Sequence, residues 1–171
     1  MTDRTDMTNI MEVKPVTAEH LHEYAGVIRD SFATVARDFG LTQENCPAHS
    51  AFITDKRLEE ILQTHDGYYP FGCFIGGKII GFASLNGRGG GTYKLRNVAV
   101  LPEYRRLGYG KALLDFCKSK AAELGGNQII IGIIEEHAEL KNWYAANGFK
   151  HTGTEQVENL PFTVGYMEYK I

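Results

Sequence analysis

The part of the chain best suited to chemistry is a run of basic residues and glycines between a predicted strand and a predicted helix. It reads Arg105-Arg106-Leu107-Gly108-Tyr109-Gly110-Lys111-Ala112. Glycine lets a ligand approach the backbone closely, because it has no Cβ. The first amides of a helix have no partners within the helix, and the helix dipole gives them partial positive charge. With three cationic side chains nearby, the run predicts an anion site suited to a diphosphate.

Two other phosphate-binding motifs do not fit this run. A Walker A loop would need glycine where Arg105 stands and serine or threonine where Ala112 stands. A dinucleotide fingerprint that starts at Gly108 would need glycine or alanine where Leu113 stands. On its own, the run is also compatible with a tight strand-to-helix turn that carries incidental charges.

Hydrophobic periodicity predicts the elements that must position this run. Alternating or continuous apolar residues predict strands over 10–16, 68–75, 78–85, 93–101, 128–134, 149–157 and 163–170. Helical spacing predicts helices over 17–40, around 58–62, from the basic run to 124, and over 137–147. The order is β-α-α-β-β-β-α-β-α-β-β, so we expect one mixed α/β domain over residues 10–171. Residues 1–9 are expected to form a flexible N-terminal tail.

The connections between these elements restrict the sheet. Glycine-rich turns join the strands over 68–75, 78–85 and 93–101, which predicts an antiparallel meander. The strand–helix–strand unit over 93–134 instead requires a parallel pair joined by a right-handed crossover.

Composition excludes several function classes. The chain has 18 Lys and Arg residues against 21 Asp and Glu residues. It therefore lacks the excess of basic residues that is typical of nucleic-acid-binding proteins, and no nucleic-acid partner is expected. No run of about 18 apolar residues predicts a membrane span, and the polar N-terminus does not resemble a secretory signal, so we expect a cytoplasmic protein. The three cysteines show no CxxC spacing and the six histidines no HExxH motif, so neither a disulfide nor a metal is expected.

Two segments in register resemble the GNAT superfamily of acyl-CoA-dependent N-acyltransferases. The first is Arg-x-x-Gly-x-Gly, preceded by Val98-Ala-Val-Leu-Pro-Glu-Tyr104, and the second is Tyr144-Ala-Ala-Asn-Gly-Phe149. The element order is also similar to that of the family, so the resemblance covers nearly the whole chain. It implies an N-acetyltransferase that moves an acetyl group from acetyl-CoA to a primary amine of a small molecule, peptide or protein. A non-catalytic acyl-CoA-binding or sensing domain of the same fold, and an unrelated α/β domain, are the alternatives.

The resemblance also implies where the co-substrate lies. The strands over 93–101 and 128–134 would splay apart and admit the pantetheine, and one backbone N–H of the first strand would polarise the thioester carbonyl. His137 stands where many members carry an asparagine that contacts pantetheine. The implied cofactor-binding residues are Val98, Ala99, Val100, Arg105, Arg106, Leu107, Gly108, Tyr109, Gly110, Lys111, Ala112, His137 and Tyr144.

The resemblance assigns Tyr144 as the group that protonates the departing thiolate, in a direct transfer within a ternary complex. A phenol has a pKa of about 10, so it carries a proton at neutral pH. Helical spacing alone would instead place Tyr144 in the core. Family members that use a carboxylate base carry it near the position of Lys94, but the strand over 93–101 has no acidic residue. Glu135, Glu136 or a water chain are the candidate bases, although both glutamates also suit a solvated helix start.

The acceptor pocket of such a fold is built by the first two helices, their link and the C-terminal strands. Aromatic residues and one imidazole there predict a compact, partly apolar acceptor, with ordinary loop packing as the alternative. The candidate substrate residues are Phe39, Asn45, His49, Phe52 and Phe162. The oligomeric state stays open, with a homodimer as an arrangement common among relatives.

Overall fold

The computed structural model describes residues 10–64 and 66–171, and the expected tail over residues 1–9 lies outside this part. Within it, seven strands and four α-helices follow the predicted order. The strands are β1 (Met11–Pro15), β2 (Tyr68–Ile75), β3 (Lys78–Gly87), β4 (Thr92–Val100), β5 (Gln128–Ile134), β6 (Lys150–Glu155) and β7 (Val164–Lys170). The helices are α1 (Leu21–Asp38), α2 (Asp55–Thr64), α3 (Tyr109–Glu123) and α4 (Ala138–Ala146).

The strands form one mixed sheet in the order β1-β2-β3-β4-β5-β7-β6. The predicted meander is confirmed, because β2, β3 and β4 pair antiparallel in sequence. The predicted crossover is confirmed as well, because β4 and β5 pair parallel with α3 between them. None of the described helices combines the length and apolar character needed to cross a membrane.

Helices cover both faces of the sheet. Neighbouring residues of β3 show this, because Ile80 belongs to a core cluster with α3 residues while Ile79 belongs to a second cluster with α1 residues. Successive side chains of a strand point to opposite faces, so the two clusters lie on opposite sides of the sheet. The fully buried Leu113 and Leu114 pack on one side and Ile28 on the other.

The sheet opens between its two parallel strands. β4 and β5 are paired only from Thr92 opposite Gln128 to Lys94 opposite Ile130. β5 continues fully paired with β7 as far as Ile134, so β4 is the strand that turns away. Its pairing with β3 shifts by one residue near Asn97, whose φ is 54°. A β-bulge of this kind bends a strand, and it accounts for the splayed strands that the family resemblance implies.

Candidate active site

The opening between β4 and β5 holds a cavity of about 400 Å³, which we call the gap cavity. β4 contributes its residues from Lys94 to Val98, and β5 contributes those from Ile131 to Ile134. Tyr144 of α4 and His49, from the link between α1 and α2, also line it. The cavity therefore lies where β4 and β5 are no longer hydrogen-bonded to each other. Helices from both faces of the sheet contribute to its walls.

A second cavity of about 480 Å³ lies beneath the α1–α2 link, residues 39–54, and we call it the link cavity. It also contains Arg57 and Ile61 of α2 and Tyr68 of β2. The two cavities adjoin, because they share lining residues from both the link and β4. These shared residues are Ala48, His49, Ser50, Arg96 and Asn97.

The basic run forms a largely exposed loop with unpaired main-chain amides. In the part of the chain that the structure describes, the amides of Arg106, Leu107, Gly108, Tyr109, Gly110 and Lys111 have no hydrogen-bond partner. The amides on either side of them are bonded, with Arg105 donating to Pro102 and Ala112 donating to Gly108. Arg106 and Gly108 both have left-handed φ values, 61° and 88°. Left-handed residues among successive free amides form a concave surface that binds anions.

This loop packs against the helix and the strand that contribute residues to the gap cavity. A Cβ on Gly110 would lie 3.6 Å from the ring of Trp143 and 3.8 Å from Val100, so the first turn of α3 touches both α4 and the end of β4. An anion held by the loop would therefore sit near the end of the strand that lines the cavity.

The structure corrects the role expected of the Arg105 side chain. Its Nε donates to the carbonyl of Val100 at 3.0 Å, and its Nη atoms donate to Thr34 Oγ1 at 3.0 Å and Ser31 O at 2.6 Å. The guanidinium therefore fastens the loop to α1 and does not extend into the concave surface. Arg106 is 90% exposed, 3.8 Å from Glu139, and Lys111 is bonded to Asp115.

The sequence left two alternatives for Tyr144, a core residue or a residue of the site, and the structure is compatible with both. The Tyr144 ring lies edge-on to Trp143 and Phe149 in the core, with only 5% of the residue exposed, and it also lines the gap cavity. Burial raises the pKa of the Tyr144 phenol above its usual value, with a smaller contribution from Cys117. The hydroxyl is therefore protonated throughout the neutral range, as a proton donor to the cavity must be.

The structure does not bring the two candidate bases to either cavity. The Glu135 carboxylate pairs with Lys141 and with His151 at 2.9 Å, and these contacts lower its pKa. Glu136 accepts a hydrogen bond from the amide of Thr163 at 3.3 Å. Both follow the end of β5, where the chain turns into α4, so their side chains lie outside the opening. We do not assign either glutamate as the base.

The other predicted site residues form two groups, those that line a cavity and those that do not. His49, Phe162, Val98 and His137 line the gap cavity, and Phe52 lines the link cavity. The remaining ones have structural contacts elsewhere. Phe39 packs against the His137 ring at 5.2 Å, Asn45 closes the link through Gly40 and Thr42, and Ala99 and Val100 are buried.

Sequence reasoning missed the cations of the cavities. Lys94 and Arg96 line the gap cavity, and Arg96 and Arg57 line the link cavity. Burial, with Arg96 and Arg88 nearby, lowers the pKa of Lys94. Lys94 and Arg96 are two residues apart on one strand and precede the bulge, so period-two spacing was a usable signal that they share a face.

A link residue and the bulge are also joined directly. Ser50 Oγ donates to Asn97 Oδ1 at 2.7 Å, which ties the α1–α2 link to β4 where the two cavities meet.

For metals, the described residues contain no group of three or more His, Cys, Asp or Glu side chains arranged to hold an ion.

Comparison with known proteins gives concordant matches. Residues 39–149 match the sequence model of a family described as the Acetyltransferase (GNAT) family. An uncharacterized N-acetyltransferase of Mycobacterium bovis is 27% identical over 103 residues, which is 60% of this chain and 60% of that protein. The chain thus matches less than two thirds of the length of that relative.

Solved structures share the fold. The PaiA N-acetyltransferase of Thermoplasma acidophilum, in complex with coenzyme A, matches with a TM-score of 0.77 and 21% identity, over 95% of this chain and 99% of that one. A ribosomal-protein-alanine N-acetyltransferase of Brucella melitensis matches with a TM-score of 0.73 and 19% identity, over 94% and 99% of the two chains. At such identities the likeness concerns the fold alone.

Proposed function

The chain belongs to the GNAT acetyltransferase family, and on that premise we propose that it transfers an acetyl group from acetyl-CoA to a primary amine. The observation that carries the proposal is the run of six free amides beside a cavity that contains a buried, protonated tyrosine. The PaiA structure contains coenzyme A, which supports the same donor for this fold.

The loop suits the diphosphate of the donor. Six unpaired amides, the N-terminal end of α3 and the exposed Arg106 side chain supply hydrogen bonds and positive charge for a dianionic group. The gap cavity would take the pantetheine arm, because β4 offers main-chain groups there that β5 no longer pairs. Val98, next to the bulge, is the residue whose backbone we assign to the thioester end.

Tyr144 completes the transfer on the opposite wall. The amine nitrogen forms a bond to the thioester carbon, the carbon–sulfur bond breaks, and the sulfur leaves as a thiolate that takes the phenolic proton. The amine proton passes to water, and the phenolate regains a proton from solvent. A covalent acyl-cysteine is not needed, and burial raises the pKa of Cys117 to about 12 and that of Cys73 to about 11, so neither is a thiolate at neutral pH.

Deprotonation of the amine does not need a carboxylate in this arrangement. A water molecule accepts the amine proton, because none of the described residues that line the two cavities is Asp or Glu. His49 is not the acceptor of this proton. Its Nδ1 accepts from the Ala51 amide at 3.3 Å, which leaves the proton on Nε2, and burial lowers its pKa so that the ring is neutral.

An acetylation assay tests this function. The protein is incubated with acetyl-CoA and a panel of primary amines, and both thiol release and the mass of each acetylated amine are measured. We expect amine-dependent thiol release with matching product. Coenzyme A binding without transfer to any amine would contradict catalysis and favour the binding or sensing alternative.

The finer predictions from the sequence stay predictions. They are acetyl-CoA as the donor, with longer acyl groups left open, a cytoplasmic location, a homodimer as an arrangement common among relatives, and activity without a metal. Competition between acetyl-CoA and longer acyl-CoA esters, and activity after chelation, test the first and the last.

A further inference from the structure

The described lining of the two cavities contains cationic side chains and no acidic ones, and we infer that the acceptor amine bears an anionic group, a carboxylate or a phosphate, which these cations bind. The inference rests on the proposed acetyl transfer and specifies the class of acceptor. Of the described residues that line the two cavities, Lys94, Arg96 and Arg57 are cationic and none is Asp or Glu. This local surplus contrasts with the chain as a whole, in which acidic residues outnumber basic ones by 21 to 18.

The cations on β4 are available to a ligand. Among the described residues, no ion pair involves Lys94 or Arg96. Arg57 contacts Glu60 at 3.4 Å, but both side chains are largely exposed, and such a pair contributes little. Cations with weak or no partners retain their capacity to hold an anion.

Lys94 is the most informative of the three. It is half-buried, and its charged neighbours are Arg96 and Arg88, which repel it. Burying a charge among like charges costs free energy unless an opposite charge compensates it. A carboxylate or phosphate between Lys94 and Arg96 would provide that compensation, and the two side chains sit about 7 Å apart along one face of β4, as the strand repeat dictates.

The position of Arg96 joins the two cavities into one binding region. Arg96 lines both of them, beside His49, whose Nε2–H is a neutral donor, and Asn97. Apolar side chains supply part of the remaining walls, with Phe32 and Phe162 in the gap cavity and Phe52 and Ile61 in the link cavity. Volumes of about 400 and 480 Å³ suit a small molecule. The matching acceptor has an apolar body, a primary amine and an anionic group.

The same arrangement discriminates against polycationic acceptors. A polyamine or a basic peptide would bring additional positive charge next to Lys94 and Arg96, with no carboxylate among the described lining residues to offset it. The charge pattern thus selects among amines that would all fit by size.

Matched acceptors test the inference. The full chain is assayed with saturating acetyl-CoA and phenylalanine against phenethylamine, O-phosphoethanolamine against ethanolamine, and spermidine, with kcat/KM expressed per free amine. We expect the anionic member to exceed its neutral partner by about 10- to 100-fold in one pair, which corresponds to a hydrogen-bonded charge pair. The pair that shows the preference identifies carboxylate or phosphate. Preference for the neutral amines or for spermidine would overturn the inference and leave acetyl transfer intact.

Variants locate the effect. Arg96→Gln and Lys94→Gln should each lower kcat/KM for the anionic acceptor by about 10-fold or more, with little change for its neutral partner. Arg37→Gln, which removes an exposed arginine outside both cavities, is the matched control and should change neither. Equal losses for anionic and neutral acceptors would show a structural effect and overturn the assignment of these cations.

A binding measurement separates this inference from the proposed function. Calorimetry with coenzyme A and N-acetylphenylalanine or N-acetylphosphoethanolamine reports anion binding whether or not transfer occurs. We expect binding that Arg96→Gln weakens. Absence of transfer together with such binding would contradict the proposed enzyme but uphold the anion site, whereas no binding of either product would overturn the site.

Discussion

The loop after β4 and the cavities beneath the α1–α2 link differ in how the chain builds them. The loop is one contiguous run, Arg106–Lys111, and it offers main-chain amides, two of them on left-handed residues. The cavities are assembled from side chains of the link, α2, β4, β5, α4 and the segment before β7, which lie far apart in sequence. The diphosphate is the same in every acyl-CoA, so main-chain amides are sufficient to bind it. The acceptor amine differs from one enzyme to another, so side chains must recognise it.

Substitution of Tyr144 gives the largest expected loss of activity. The loop holds the donor and the cavities hold the acceptor, and Tyr144 protonates the thiolate that leaves when the carbon–sulfur bond between the acetyl group and coenzyme A breaks. Tyr144→Phe keeps the ring and its core contacts but removes the proton donor. We expect kcat to fall by about 10²-fold, the low end of general-acid effects, with coenzyme A affinity unchanged. Since burial raises the pKa of Tyr144, deprotonation of this phenol should not lower the kcat of the parent protein, measured at saturating acceptor, as the pH rises to about 10.

Tyr169→Phe is the matched control for this variant. Tyr169 also lies beside Phe149, with 5.5 Å between ring centres, but it does not line either cavity. It should retain the parent kcat. An unchanged kcat for Tyr144→Phe, or equal losses for both variants, would contradict the proton-donor role.

Two glycines at opposite ends of α3 separate binding from folding. Gly108 and Gly125 have similar left-handed φ values, 88° and 81°, and a Cβ would meet nothing within 4 Å at either position. Alanine at either site should therefore cost about 1–2 kcal/mol of unfolding free energy through backbone strain alone. Only Gly108→Ala should also raise the KM for acetyl-CoA, by about 10-fold, because it disturbs the free amides.

Thermal unfolding and steady-state kinetics of these two variants check the prediction. Tm should fall by roughly 2–8 °C in both. Similar KM values for the two variants would mean that the shape of the loop does not contribute to donor binding.

Substitutions of the adjacent Arg105 and Arg106 give the smallest expected effects on catalysis. One should lower stability and the other should raise the KM for acetyl-CoA. Arg105→Gln removes the bonds to Val100, Thr34 and Ser31, so it should destabilise the fold by about 2 kcal/mol while KM stays near the parent value. Arg106→Gln loses only an exposed contact to Glu139, so stability should hold while KM for acetyl-CoA rises about 3-fold. Denaturant unfolding and KM measurements check both, and the reverse pattern would refute the assignment.

The sequence predicted the fold well because its signals are local. The bounds of β2 and β5 agree with the predicted strands, and the parting of β4 from β5 follows the expectation from the family resemblance. Glycines and basic residues also predict an anion site at the loop, and the unpaired amides of Arg106–Lys111 support that prediction. In each case, periodicity or a short motif contains the information.

The remaining features depend on distant contacts. Arg105 turns toward α1 because Ser31 and Thr34, more than 70 residues earlier, supply its acceptors. Glu135 is drawn away from the opening by Lys141 and His151, and spacing along the chain does not encode that direction. Strand charges such as Lys94 resemble an ordinary solvated face until the bulge opens a cavity next to them.

The most direct test of the account is to observe the loop amides while coenzyme A binds. In a titration followed by ¹H–¹⁵N correlation spectra, the account predicts the largest shifts at the amides of Arg106–Lys111, with smaller ones along β4 and little change at Gly125. Binding that leaves the loop amides unshifted, or that shifts only the residues of the link cavity, would contradict it.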